Sequence, residues 1–332
     1  MLPTFRFALC AILALASMGC DILGGRSRDE RDRLAFYKQN AGTYFLGDRY
    51  EQALDMAQRG LAIAPDDYEL LVTSGLCHLQ RAGEDPVELS DAEKFFDQAF
   101  EQRRFEDNRP EAILGYATVQ QRLALDQERR AAAIALEQER KNLAGSDRLA
   151  AEARAKEHLG RSRSFHEKAK RAYGTLLERE ELQRYAHKGL MEIAAEQNDY
   201  EGAVRHGEAC LAENHKSQEV HNKVIRETLA PNEEQRSRAV LTELIDQEKR
   251  IRSALAEMHF RKGQPARSVE QLDALLTLDP MRSSDYYNRG RALEQLGRTD
   301  EARADFEKFL GTTSLASSDD RVAHAERATT RR

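Results

Sequence analysis

The stretch LGDRYEQALDMAQRGLAIAPDD, residues 46–67, holds a turn, an amphipathic helix and a stop. Leu46-Gly47-Asp48 reads as a helix ending on a left-handed residue, with an acidic residue ready to start the next. Ala53, Ala57 and Gly60 then follow Tyr50 at helical spacing, so small residues share one face. Pro65 closes the segment. A helix with a small-residue face is one that lets another helix come close.

The arrangement returns. Tyr200-Glu-Gly-Ala203 is followed by Gly207 and Cys210, and Thr299-Asp-Glu-Ala302 by Phe306 and Phe309. Each is preceded by a turn, Gln197-Asn198-Asp199 or Leu296-Gly297-Arg298. Upstream of each turn lies another helix with its own packing residues: Ala41 and Tyr44, Leu190 and Ala194, Gly290 and Leu293. These offsets resemble the tetratricopeptide repeat, a 34-residue helical hairpin. Tyr37 and Tyr286 stand where the family places its first aromatic residue. The resemblance implies an all-α solenoid, a superhelix of helical hairpins whose first helices line a concave groove. Repeats are expected at about 34–67, 68–107, 108–183, 184–217, 249–282 and 283–314, with a degenerate helical connector over 218–248. The polar stretch 315–332 is expected to be a disordered tail, with at most a short helix after Asp319.

The third repeat is too long for the pattern. Residues 111–143 hold no proline and one glycine, Gly115, and after Ala144-Gly145-Ser146-Asp147 a second long run covers 148–179. Gly145 is expected to end the first helix, and Ser146 or Asp147 to cap the second. This predicts one long protruding antiparallel helical hairpin, inserted over 122–166, with arms of about 48 Å at 1.5 Å per residue. Its apolar residues are few (Leu123, Leu125, Ile134, Leu136, Leu143, Leu149) among many alanines. It reads as a solvated spacer or as a coiled-coil arm that contacts a partner.

The N-terminus has a different logic. Residues 1–6 carry one arginine, 7–16 are apolar throughout, and no charge follows until Asp21. This is the layout of a secretory signal, and about ten apolar residues are too few to span a bilayer. Ala16-Ser17-Met18-Gly19-Cys20 resembles a bacterial lipobox, with Ser17 where a branched aliphatic residue is usual. The resemblance implies a signal peptide over 1–19 and lipid attachment (palmitate or a like acyl chain) at Cys20, and residues 20–33 are expected to form a short tether and the start of the first helix. It also implies a protein held at the inner or outer membrane of the bacterial cell envelope, facing the periplasm. The alternative is a soluble periplasmic or secreted adaptor.

Loss of residues 1–19 removes the single charge of Arg6 and moves the net charge from −6 to −7. An acidic chain is a poor general ligand for nucleic acid. After Cys20 only Cys77 and Cys210 remain, both at packing positions, so free buried thiols are expected.

No catalytic constellation is evident: there is no phosphate loop, HExxH or CxxC. His206, Cys210, His215 and His221 are the best metal-like group, but Cys210 takes a packing position of the fourth repeat. No metal or other cofactor, no small-molecule substrate and no catalytic residue is assigned. A hydrolase or metal-dependent enzyme is the less favoured alternative. The repeat register places Lys38, Gly42 and Phe45, Tyr185, Lys188 and Glu192, Arg250, Ser253 and Arg261, and Tyr287, Arg291 and Glu294 on the groove. The expected role is that of an interaction scaffold, with protein partners bound by the groove, the long hairpin or both.

Overall fold

The computed structural model describes residues 27–101 and 104–330. The signal peptide over 1–19 and the lipid attachment at Cys20 lie outside the described residues. Thirteen α-helices, and no strand, occur among the described residues. The chain divides into two compact units after Leu182.

The first unit contains α1 (Arg28–Leu46), α2 (Tyr50–Leu61), α3 (Tyr68–Ala82), α4 (Pro86–Phe100), α5 (Pro110–Arg140) and α6 (Gly145–Leu176). A capping box opens α1: the Ser27 hydroxyl accepts from the Glu30 N–H at 3.2 Å, and the Glu30 carboxylate accepts from the Ser27 N–H at 2.8 Å. The second unit contains α7 (Gln183–Glu196), α8 (Tyr200–Glu227), α9 (Pro231–Arg261), α10 (Pro265–Leu278), α11 (Ser283–Gln295), α12 (Thr299–Thr312) and α13 (Asp320–Thr330).

One turn geometry recurs between the two helices of a hairpin. A single residue with positive φ donates its N–H to the carbonyl three before it, and the next N–H reaches the carbonyl five before itself. The left-handed residues are Asp48, Asn142, Asn198, Gly263 and Gly297. In the first hairpin Gly47 was the expected left-handed residue, but its φ is −86° and Asp48 takes the role. At the tip of the long hairpin Asn142 ends α5, and Gly145, also at positive φ, begins α6 behind Ala144 with no side-chain cap. The expected cap at Ser146 or Asp147 is not used.

Stacking depends on close approach. The Phe96 ring is fully buried between Gly75 on α3 and Gly115 on α5. A Cβ on Gly75 would lie 3.0 Å from that ring, and one on Gly115 2.7 Å. Phe100, Phe105 and Tyr116 extend the cluster edge to face.

α5 and α6 run on past this core. Their inner halves are pinned to α3 and α4: Arg122 donates to the carbonyls of Leu79 and Gly83, and Lys168 pairs with Glu93 at 2.9 Å. The seam beyond is small and polar. Ala124, Ala131 and Ala151 are buried, Tyr173 donates to Gln121 at 3.1 Å, and Ser162 donates to Glu128 at 2.8 Å. Toward the tip Leu136 and Leu149 are exposed.

Residues 218–248 are not a separate connector. No glycine or proline interrupts the chain between Gly207 and Pro231, so α8 continues to Glu227 and α9 begins with proline in its first turn. The result is a second extended hairpin with a polar seam. Asn214 donates to the Leu244 carbonyl at 3.1 Å. Buried Glu248 accepts from Gln218 at 2.7 Å and Arg252 at 2.7 Å, and lies 3.0 Å from His215. The expected tail is corrected in part: the short helix expected after Asp319 is α13, Asp320–Thr330, and it packs on the fold, burying Val322 and Ala325. Two apolar contacts suffice because the helix has a ready apolar face to lie on.

Gly115→Ala should cost about 1–3 kcal/mol, because the buried Phe96 ring has no room to yield. Gly160, also in a helix but with open space at its Cβ, should gain about 0.5–1 kcal/mol on replacement by alanine. Urea unfolding of the two variants checks the opposite signs.

Candidate functional site

In the first unit two of the expected groove residues, Lys38 and Phe45, are occupied by the fold itself, while Gly42 faces open space. Lys38 reaches from α1 to the start of α3, pairing with Asp67 at 3.1 Å and Glu69 at 2.9 Å. Burial opposes its charge, but the two carboxylates outweigh that and raise its pKa. Phe45 is buried core, with its ring 5.7 Å from Tyr50, and is corrected as a groove residue. The offset alone did not reveal that Tyr50, opening the next helix, would close over it.

The second unit keeps a real opening. Ser253, Ala256, Glu257 and Phe260 on α9, Ser268 and Leu272 on α10, and Tyr287, Asn288 and Arg291 on α11 line a cleft of about 320 Å³. Its floor is apolar: Ala256, Leu272 and Tyr287 are buried. Tyr287 is corrected from an open groove residue to a floor residue, its ring packed 5.1 Å from Phe309 and 5.8 Å from Phe306. Arg291 stands at the rim with its guanidinium 5.8 Å above the Phe260 ring. Its other contacts are long: 3.4 Å to the Tyr287 hydroxyl and 3.9 Å to Glu294.

The cleft therefore pairs an apolar socket with a cation whose contacts within the chain are weak. Such a site can take an apolar or aromatic side chain and a neighbouring acceptor or carboxylate. Phe260, Asn288 and Ser268 were not singled out from sequence. Phe260 had a signal, since it lies one helical turn after Ala256 on a first helix.

The remaining candidates do not join this cleft. Tyr185 lies under the Arg184 guanidinium at 4.7 Å, and Lys188 pairs with Glu192 at 2.6 Å within one helix. Arg250 is exposed. Arg261 donates to Glu257 at 2.7 Å and to the Tyr200 hydroxyl at 3.4 Å.

The histidine and cysteine group also comes apart. Cys210 is buried, donates to the Arg184 carbonyl at 3.3 Å, and has its thiol pushed up to about 12 by burial. Cys77 is likewise buried, free and pushed up to about 12. Neither is a ready nucleophile. His215 faces Glu248, while His206 faces His187, Nδ1 to Nδ1 at 3.1 Å. Among the described residues no group of three or more His, Cys, Asp or Glu could hold a metal ion, and no helix is long and apolar enough to cross a membrane.

Comparison with known proteins agrees with this architecture. Residues 255–331 match the family model for the tetratricopeptide repeat. The C-terminal part of a repeat-containing protein of this kind from Cytophaga hutchinsonii is 12% identical, with a TM-score of 0.54; the match covers 87% of this chain and 85% of that one. A tetratricopeptide repeat protein from Parabacteroides merdae is 15% identical, with a TM-score of 0.38, over 90% of this chain and 100% of that one. No match was found among the curated proteins.

Burial lowers the pKa of His187 and of His206, and His206 is lowered further by His187 and Arg205. Burial and Arg184 do the same for His221. A histidine kept neutral by the fold contributes stability that is present above the ordinary value of 6.5 and is lost as pH falls through the lowered folded value. The second unit should therefore lose stability on acidification below pH 6.5, before the carboxylates titrate. His206→Gln should flatten that dependence, as read from thermal melts between pH 7.5 and 5.

Proposed function

We propose that this chain of tetratricopeptide repeats is a protein-binding scaffold of the bacterial cell envelope, tethered through a lipid on Cys20. The observation that carries the binding role is the α9–α11 cleft. It presents an apolar floor of Ala256, Leu272 and Tyr287 beneath the Arg291 guanidinium, on the first-helix side of adjacent repeats. Partner recognition commonly rests on a few such sockets, where an anchor side chain is desolvated and a charged neighbour fixes its register. Of the groove residues expected from sequence, Arg291 and Tyr287 work together here.

The tether rests on the sequence around Gly19-Cys20. Each buried methylene of an acyl chain adds about 0.8 kcal/mol, so two or more chains hold a protein stably at a bilayer. The role is binding rather than catalysis: the buried thiols are held protonated, and His206 and His215 turn to His187 and Glu248.

Arg291→Glu reverses the charge at the rim, where the side chain is half exposed, and should leave the melting temperature unchanged. Crosslinked pull-down from envelope extract, followed by quantitative mass spectrometry, should show capture of the partner reduced at least about tenfold, equivalent to 1.4 kcal/mol or more. Cys20→Ser should move the protein from the membrane fraction to the soluble one while leaving capture by the purified protein intact. Undiminished capture by the Arg291 variant would sink the groove reading, and unchanged fractionation of the Cys20 variant would sink the tether.

A further inference from the structure

Phe96 and Phe306 occupy equivalent places in their hairpins, and the difference between them is informative. Phe96 lies between two glycines: Gly75 on the first helix of its own hairpin and Gly115 on the first helix of the next. Phe306, on α12, has the first of these, since a Cβ on Gly290 of α11 would lie 2.7 Å from its ring. On its other side lies α13, in the slot that α5 takes beside Phe96. There the residue at the ring is not glycine but His324, at 5.3 Å between centroids with the planes at 86°.

The consequences are visible around that imidazole. A cleft of about 410 Å³ remains between α12 and α13, with Thr299, Ala302 and Phe306 on one wall and His324, Arg327 and Ala328 on the other. α13 buries only Val322 and Ala325. The first two turns of α5, by contrast, bury Ala112, Ile113, Leu114, Tyr116 and Ala117. The His324 Nδ1 is buried without a hydrogen-bond partner, while its Nε2 lies 3.4 Å from Glu294. A polar atom in that state weakens the contact it sits in. The link from α12, residues 313–319, is non-helical and mostly exposed, so α13 can leave without pulling on α12.

We propose that the α11–α12 face under α13 is a helix-docking surface and that α13 is its weakly seated occupant. The partner it fits is an amphipathic helix that brings glycine to Phe306 with aliphatic residues on either side, as α5 brings Gly115 to Phe96. Such a helix closes the cleft that His324 holds open and so displaces α13 by competition for one face. This surface adjoins the Arg291 cleft, since Tyr287 also packs edge-on against His324 at 5.8 Å, but the proposal does not depend on that reading.

The test uses the full chain and a synthetic peptide of residues 109–123, which carries Gly115 and its aliphatic neighbours. Fluorescence anisotropy measures binding, and amide hydrogen exchange reports where it occurs. The expected result is binding that accelerates exchange of residues 320–330 at least about tenfold and slows exchange in 299–312. Val322→Asp, which loosens α13, should tighten peptide binding about tenfold. His324→Gly should do the reverse: α13 seats closer, its own exchange slows, and the peptide binds about tenfold more weakly. No binding to either the native chain or the Val322 variant would overturn the proposal. So would binding that leaves exchange of 320–330 unchanged, or a His324→Gly chain whose α13 exchanges no more slowly.

Discussion

The structure depends on how closely a first helix can approach the second helix of the hairpin before it, as Gly60 meets Leu70, Gly115 meets Phe96 and Gly207 meets Leu255. Phe96 shows the rule: an aromatic ring fully out of solvent, with a glycine on each side where any Cβ would collide. Close packing of this kind gathers the dispersion contacts of a large ring and seats α5 on the hairpin before it. A lone hairpin of this composition has too little apolar surface to hold itself together, so the ring-and-glycine contact turns separate hairpins into a stack. The recurrent left-handed turn then fixes where the second helix starts in five of the hairpins.

Where the chain leaves this rule, it changes the material of its seams. The α5–α6 arms pack through alanine and paired polar side chains, and the α8–α9 hairpin through Asn214, Gln218 and Glu248. Burial alone would raise the Glu248 pKa, but hydrogen bonds from Gln218, His215 and Arg252 outweigh it and keep the carboxylate charged. Such seams add less stability than an apolar core of the same length, and they help set register, since Ser162, Tyr173 and Asn214 each meet a polar group on the facing helix. Long arms with this construction stay soluble without a broad apolar face.

This explains what could be read from the sequence. The hairpins around 34–67 and 283–314 were legible because their small and aromatic residues recur at fixed offsets. The second long hairpin was not, because Asn214, Gln218 and Glu248 look like surface residues until a partner helix is beside them. Phe45 and Tyr287 were placed on the groove by register, and the structure buries both because Tyr50 and Phe309 lie against them. The cleft itself needed three helices to meet, and only Arg291, Tyr287 and Ser253 of its lining stood out beforehand. The short α13 was legible as a helix after Asp319, but its packing was not, since two buried residues three apart are all that mark its inner face.

The central functional claim is that partners are held in the cleft between α9 and α11. The most direct measurement places a photo-crosslinking benzoylphenylalanine at Asn288, on the exposed rim of the cleft, and in a second protein at Leu136, near the tip of the long hairpin. Irradiation in envelope extract should give a discrete crosslinked protein from position 288. Crosslinks from position 136 alone would contradict the account and move recognition to the hairpin.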